Sequence, residues 1–398
     1  MYSKDFILHN VRCLLKEYIL PMQNSVDKPR RKFLSQMLPG ILLSGSLQLK
    51  DISRWIHDGC SDIFYRIKRL ANNLKSAKGS LDQALNSYRQ ACSRHIQHDS
   101  PISIDITDLA KPRAKKMKYL TQVYDGSESR LVTGYWCLEV YAHLKKKLFL
   151  PLAMDTFSTD DPDVISRNRQ IYRTVRAVHE ALNGKGIWVA DRGFDGLNVY
   201  ETWFSLNSNF IVRQVGNRDI ITSNNVRINQ VLLIEHLRQA QMYANQQTDI
   251  VFTKVRLPSH QRWLYLVAEY RRDFENPLIL MTTMVVENLQ QAKHVIWYYL
   301  QRWGCEESGR FLKTSIGLER FCLRRYESIK RLMILAMFAM GFLTWILINR
   351  KRLTKSLFDM TSRFRQKSKF KYYRLLEGLQ QFIIFASRSN RKLPILTN

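Results

Sequence analysis

The 398-residue chain carries 62 Lys and Arg against 34 Asp and Glu, a formal net charge of +28. Its 45% hydrophobic and 11% aromatic content excludes a disordered chain and leaves room for two or three domains with a sizeable core. So large a positive excess costs a compact state self-repulsion and points to a polyanionic partner, nucleic acid first and a membrane surface second. Residues 1–98 read as helical and basic. Within them Leu49, Ile52, Trp55 and Ile56 fall at helical spacing, before a break at His57, Asp58 and Gly59. A second helix follows over 61–74, capped by Cys60 or Ser61, with Arg66, Lys68 and Arg69 along it. Two short helices around a Gly-containing turn read as a helix-turn-helix, and a plain helical hairpin would look the same.

From Pro101 the period becomes two. Residues 102–107 read as a strand in which Ile102, Ile104 and Ile106 share one face and Asp105 projects from the other with Ser103 and Thr107. Asp108 falls on the isoleucine side or past the strand end. Strands over 131–144 and 147–155, a helix over 163–182, a short strand over 186–190, a helix over 197–206 and a strand over 209–213 make a mixed α/β sheet with helices on its faces. Asp191 directly follows the apolar 186–190 strand and precedes Gly193. That is where open α/β sheets bind ligands, though the same aspartate could simply cap the next helix. Residues 216–287 read as mostly β, with strands over 249–257, 263–270 and 278–286 and one helix over 230–244.

From residue 287 the chain returns to helix. Tyr299, Arg302, Glu306 and Lys313 lie at gaps of three, four and seven residues. At about 100° per residue the last three fall at roughly 300°, 340° and 320° from the first, on one face, whereas Glu307 points roughly 80° away from Tyr299. A carboxylate flanked by phosphate-binding groups suits an enzyme that holds a metal ion against a nucleic-acid backbone. Residues 332–348 run without a charge; they are short for a membrane span, and a core helix buried on all sides gives the same pattern. The tail from Lys351 interleaves Phe364, Phe370, Tyr372 and Tyr373 with Arg and Lys.

The six cysteines form no CxxC pair, which argues against a disulfide framework or zinc ribbon and suits a reducing cytoplasm. His95 and His98 read as exposed helix histidines. The amino terminus has no basic region followed by an apolar core of the secretory kind.

Two strand-borne acids and one helical acid are the layout of a two-metal nucleotidyl-transfer site, in which two Mg²⁺ ions about 3.5–4 Å apart stabilise the attacking and leaving oxygens. With Asp105 in Asp-Ile-Thr, Asp191 in Asp-Arg-Gly-Phe, and the Tyr299, Arg302, Glu306 and Lys313 spacing, the chain resembles a DDE transposase of a bacterial insertion sequence, of the insertion-sequence-four type. The resemblance implies an α/β, ribonuclease-H-like catalytic domain at 99–215 and 288–350, interrupted by a β-rich insertion at 216–287. A helical, basic DNA-binding region at 1–98 would precede it, and a basic helical region at 351–398 would follow. It also implies Asp105, Asp191 and Glu306 as catalytic metal ligands for two Mg²⁺ ions, with Mn²⁺ as a substitute. Tyr299, Arg302, Lys313 and Arg213 become phosphate contacts, and an insertion aromatic, with Trp263 a candidate, stacks a flipped base.

The implied activity is cut-and-paste transposition at terminal inverted repeats through a hairpin intermediate. The implied partners are double-stranded transposon ends and target DNA, with a homodimer in the synaptic complex and no membrane. The location would be the bacterial cytoplasm, at the nucleoid. A catalytically silent, transposase-derived DNA-binding regulator is the alternative reading.

Overall fold

Five helices open the chain: α1 (Lys4–Asn24), α2 (Lys28–Ser44), α3 (Leu49–Ser53), α4 (Ile63–Ser76) and α5 (Ser80–Ser93). Their arrangement comes from a computed structural model that describes residues 4–56, 62–76, 80–126, 129–145, 147–244, 248–272, 274–362 and 367–389. The expected turn at His57, Asp58 and Gly59, the cap at Cys60 or Ser61, and Phe364 lie outside the described residues. The helix α2 starts where Asp27 accepts a hydrogen bond from the Arg30 N–H (2.9 Å), which satisfies one otherwise unpaired donor. His95 and His98 are not helical: they follow the end of α5, and the His95 ring sits edge-on to Trp345, 5.2 Å between centroids.

Then come β1 (Pro101–Ala110), β2 (Thr121–Asp125), β3 (Arg130–Leu144), β4 (Leu148–Phe157), α6 (Arg167–Ala181), β5 (Ile187–Ala190), α7 (Leu197–Ser205) and β6 (Asn209–Arg213). The segment after them holds β7 (Asp219–Thr222), β8 (Arg227–Asn229), α8 (Gln230–Tyr243), β9 (Ile250–Arg256), β10 (Trp263–Glu269) and β11 (Leu278–Thr282). Helices α9 (Leu289–Gln301), α10 (Trp303–Phe311), α11 (Tyr326–Asn349), α12 (Lys351–Asp359) and α13 (Lys371–Ser389) close the described chain. The mixed α/β expectation holds. The short β2, β7 and β8 were not legible, because three to five residues carry too little alternation to stand out.

Among the described residues the strands form one eleven-stranded sheet, in the order β2-β3-β1-β5-β6-β11-β10-β9-β7-β8, with β4 pairing β3 beside that path. β3 is antiparallel to β1 and β4, whereas β5 and β6 run parallel to β1. β11 pairs antiparallel with β6, so the strands of 216–287 continue the same sheet. One sheet face packs Ile187, Val189 and Ile211 with Val267 and Leu280 against Val295, Ile296 and Tyr299 of α9. The other face, with Ile102, Ile104, Trp188 and Phe210, joins the main core.

The helix α11 is long and apolar enough to cross a membrane by length and composition alone, yet in this fold it is a core helix. It lies on β4 and is hydrogen-bonded from both sides. The Tyr18 hydroxyl donates to the Phe338 carbonyl (2.6 Å), and the Thr344 hydroxyl donates to the Phe149 carbonyl (2.8 Å). Its all-round burial explains the missing polar face.

Beneath the sheet edge, His143 of β3 is buried, with Nε2 2.7 Å from the Ser103 hydroxyl and its ring edge-on to Phe149. Burial, helped by the nearby Arg302 charge, lowers its pKa to about 3. A folded-state pKa below the unfolded value of about 6.5 stabilises the fold above pH 6.5, and that stability is lost as pH falls, because the unfolded chain takes up the proton first. At pH 5 the loss from this group is about 2 kcal/mol. Thermal unfolding of wild type and His143→Asn at pH 7.5 and pH 5 should therefore show the wild type losing more stability on acidification; equal losses would rule out a neutral buried histidine.

Candidate active site

Strand register assembles the site. β1 pairs Ile104 with Ala190 of β5, and β5 pairs Ala190 with Val212 of β6. One residue further along, Asp105, Asp191 and Arg213 come level at the carboxyl ends of β5 and β6, on strands about 4.8 Å apart. Glu139 of β3 lies directly opposite Asp105. Asp105, inside β1, and Asp191, just past the end of β5, each have one oxygen tied to backbone: the Ile106 N–H donates to Asp105 Oδ1 (2.9 Å), and the Gly193 N–H donates to Asp191 Oδ1 (2.8 Å). Asp191 thus caps the 3₁₀ turn Arg192–Phe194, with its second oxygen left outside that cap.

Asp195 anchors that turn from its far end. Its carboxylate accepts from the Tyr200 hydroxyl (2.8 Å), the Val215 N–H (2.8 Å) and Arg218 Nη2 (2.8 Å). The turn is therefore bound to the start of the 216–287 segment.

From the facing side, α9 and α10 bring a second set of groups. Arg302 is the turn residue between the two helices, and its guanidinium reaches both a strand acid and a helix acid. Nη2 donates to Glu306 Oε1 at 2.8 Å, and Nη1 lies 3.8 Å from Asp105 Oδ2. Tyr299 is buried, with its ring 5.8 Å from the guanidinium. Burial works against the Arg302 charge, but Tyr299, Asp105, Glu306 and Asp191 outweigh it and hold the guanidinium above its ordinary range. Around Asp105 the balance reverses. Burial pushes its carboxyl up to about 6, opposed by Arg302 and reinforced by Asp191 and Glu306.

Asp105, Asp191 and Glu306 are therefore brought together around Arg302. Lys313 goes elsewhere: it lies in the π-helical turn Leu312–Ile316, and its Nζ pairs with Asp108 and Glu319, both at 3.1 Å. Five-residue hydrogen bonding in that turn breaks the 100° advance on which a common face depends. Glu307 pairs with Arg310 (2.7 Å). Trp263 is placed away from the acids. Tyr265 is level with Thr282 and so with Ile211, which puts Trp263 beside the amino end of β6, at the opposite sheet edge from Asp191.

One carboxylate was missed by sequence reasoning. Glu139 is 2% exposed; its Oε2 accepts from the Tyr141 hydroxyl (3.2 Å), and its buried Oε1 has no partner among the described residues. Burial, with Asp105 beside it, pushes its carboxyl up to about 7. The only sequence signal was a glutamate among the apolar residues of 135–142.

Oxygen donors of like charge around one buried arginine suit a hard divalent cation. Among the described residues no group of three or more His, Cys, Asp or Glu is disposed to hold an ion as it stands, and Arg302 supplies the positive charge between the carboxylates.

Acids gathered level with the carboxyl ends of β5 and β6 lie where open α/β sheets bind their ligands. The comparisons are more particular. Residues 148–342 match the protein family described as Transposase DDE domain, which supports a DDE transposase. The matched span contains Asp191 and the 299–313 segment, while Asp105 precedes it. A cryo-EM structure of the piggyBac transposase synaptic complex with hairpin DNA aligns with 99% of this chain and 83% of that chain, at 10% identity and a TM-score of 0.49. A comparison with curated proteins found no match.

The approach of α10 to the sheet needs glycine. A Cβ on Gly304 would lie 1.9 Å from Phe149 Cε1, and one on Gly309 would lie 3.2 Å from Glu139 Oε2. Gly304→Ala should therefore lift α10 and Glu306 off the sheet and cost about 1–3 kcal/mol, although alanine is the better helix former by about 1 kcal/mol. Urea unfolding measures this; a stabilised Gly304→Ala protein would contradict the close packing.

Proposed function

We propose that the chain is the transposase of a bacterial insertion sequence, catalysing cut-and-paste transposition at terminal inverted repeats. The observation that carries this reading is the convergence of Asp105, Asp191 and Glu306 on Arg302 in a chain that matches a transposase DDE domain over 148–342. The antiparallel β4, β3, β1 set joined to parallel β5 and β6 supports a ribonuclease-H-like catalytic domain. We divide the chain into a helical DNA-binding region at 1–98, the catalytic domain at 99–215 and 288–350, a β-rich insertion at 216–287 and a basic tail at 351–398.

In this reading Asp105, Asp191 and Glu306 hold two Mg²⁺ ions, replaceable by Mn²⁺, which when bound would polarise the attacking oxygen and stabilise the leaving oxygen at phosphorus. The chain's own groups set the stage. The Ile106 and Gly193 N–H groups aim the two aspartates, and Asp195 pins the Asp191 turn. Arg302 offsets carboxylate repulsion, with Tyr299 against its guanidinium. Arg302, Arg213 and Lys313 contact DNA phosphates in this reading, Lys313 leaving its pairs with Asp108 and Glu319 to do so. Water nicks one strand at each end, and the freed 3′-hydroxyl attacks the opposite strand, forming a hairpin and releasing the flanking DNA; a second water reopens the hairpin, and the regenerated 3′-hydroxyl joins to target DNA. Two ends imply a homodimer in the synaptic complex, working in the cytoplasm at the nucleoid.

The test is cleavage of DNA bordering the coding region by purified protein with Mg²⁺. Wild type should nick and then strand-transfer, while Asp105→Ala, Asp191→Ala and Glu306→Gln should each lose cleavage by at least about a thousandfold with end binding retained; full cleavage by Glu306→Gln would falsify the assignment. Arg302→Ala and Lys313→Ala should each lower the log–log salt slope of duplex binding by about 0.9, measured by fluorescence anisotropy; unchanged slopes would remove them from the DNA contacts.

A further inference from the structure

Beyond Asp105, β1 continues for five residues to Ala110, roughly 17 Å further at about 3.4 Å per residue. Two sequence-distant basic segments are fastened together at its end. The 111–120 connection contributes exposed Arg113, Lys115, Lys116 and Lys118, and the 317–325 connection contributes exposed Arg320, Arg324 and Arg325.

Their junction is built, not incidental. The Lys118 N–H donates to the Arg324 carbonyl (3.2 Å), and Lys111 Nζ donates to the carbonyls of Glu319 and Phe321 while lying 3.6 Å from the Phe321 ring centroid. The Lys111 N–H also donates to Thr133 (2.7 Å), and the Tyr135 hydroxyl donates to the Lys118 carbonyl (2.6 Å). Both ends of the basic connection are thus held to the sheet.

The nearby acids are already engaged or lie to one side. Glu319 is taken by Lys313 (3.1 Å) and the Ala110 N–H (3.2 Å), and Glu327 by Lys330 and Arg331, both at 3.6 Å. Asp161 and Asp163 bear on Lys118. No ion-pair partner is found among the described residues for Arg113, Lys115, Lys116, Arg320, Arg324 or Arg325. Three of these arginines also precede the amino terminus of α11, where Arg325 is the N-cap and makes no side-chain cap bond. Cations gathered at the positive end of a helix raise the energy of the free protein, and a polyanion would relieve it.

We infer that Arg113, Lys115, Lys116, Arg320, Arg324 and Arg325 form a preorganised platform for the backbone of duplex DNA, about five base pairs from the acid row. The spacing follows from the 17 Å of β1 and a rise of about 3.4 Å per base pair. The proposal rests on the transposase reading for the DNA's presence at the acids, and it adds a surface that neither the acids nor the 299–313 segment includes.

The experiment is fluorescence anisotropy of the full-length chain on a labelled 30-base-pair duplex of arbitrary sequence, across a salt series. A platform triple variant (Lys115→Ala, Lys116→Ala, Arg324→Ala) is compared with a charge-matched triple on exposed α12 cations (Lys351→Ala, Arg352→Ala, Lys355→Ala). The platform variant should bind at least about tenfold more weakly at 0.1 M salt and lose about 2.7 from the log–log slope, while the α12 variant stays near wild type. Equal losses in both variants, or none in the platform variant, overturn the platform. Melting temperatures within about 2 °C of wild type, expected for exposed side chains, show that the variants are folded. Because no cutting is measured, a wild type that binds this way but never cleaves bordering DNA removes the transposase reading and leaves the platform standing.

Discussion

Repulsion among converging carboxylates is the constraint around which the site is organised. Parallel register brings Asp105 and Asp191 level, Glu139 lies across from Asp105, and α10 adds Glu306 from the facing side. Burial and like charge raise the Asp105 and Glu139 carboxyls; Arg302, in contact with both Glu306 and Asp105, opposes this at Asp105, while the Tyr141 hydroxyl and Lys313 oppose it at Glu139. A buried guanidinium is costly unless its charge is matched. Here the acids and the arginine each make the other tolerable, and a divalent cation would act on the same imbalance.

Precision in that arrangement comes from packing. The helix α10 reaches the sheet because Gly304 and Gly309 present no side chain to Phe149 and Glu139. The helix α11, buried through most of its length, backs β4, and the hydroxyls of its Thr344 and of Tyr372 in α13 both donate to the Phe149 carbonyl. Asp195 fastens the Asp191 turn to the segment after β6. Side chains over 100 residues apart in sequence are therefore held by one continuous sheet, which the strands of 216–287 extend, with an apolar cluster on each of its faces.

Much of the fold was legible because its elements carry local signals. The alternation around Ile102, Ile104 and Ile106, the apolar run ending at Asp191, and the uninterrupted apolar stretch within α11 depend only on neighbours in sequence. Glu139 was hidden for the opposite reason: its carboxylate is one letter in an apolar run, and its place beside Asp105 is a matter of register with β1. Trp263 was a candidate only as an aromatic of the 216–287 segment, and antiparallel pairing through β11 carries it to the far edge. A single α-helical phase from Tyr299 to Lys313 ignored the π-helical turn, which no residue in the segment announces.

The sequence by itself determined which residues could do chemistry and on what kind of element each would lie, since periodicity and turn residues are local properties. It also determined the net charge of +28, which points to a polyanionic partner. Only the tertiary structure decided which of those groups meet. Strand register, helix approach and the fastening of the 111–120 and 317–325 connections are set by long-range packing. That is why Arg302 lies between two acids while Lys313, eleven residues on, answers to Asp108 and Glu319.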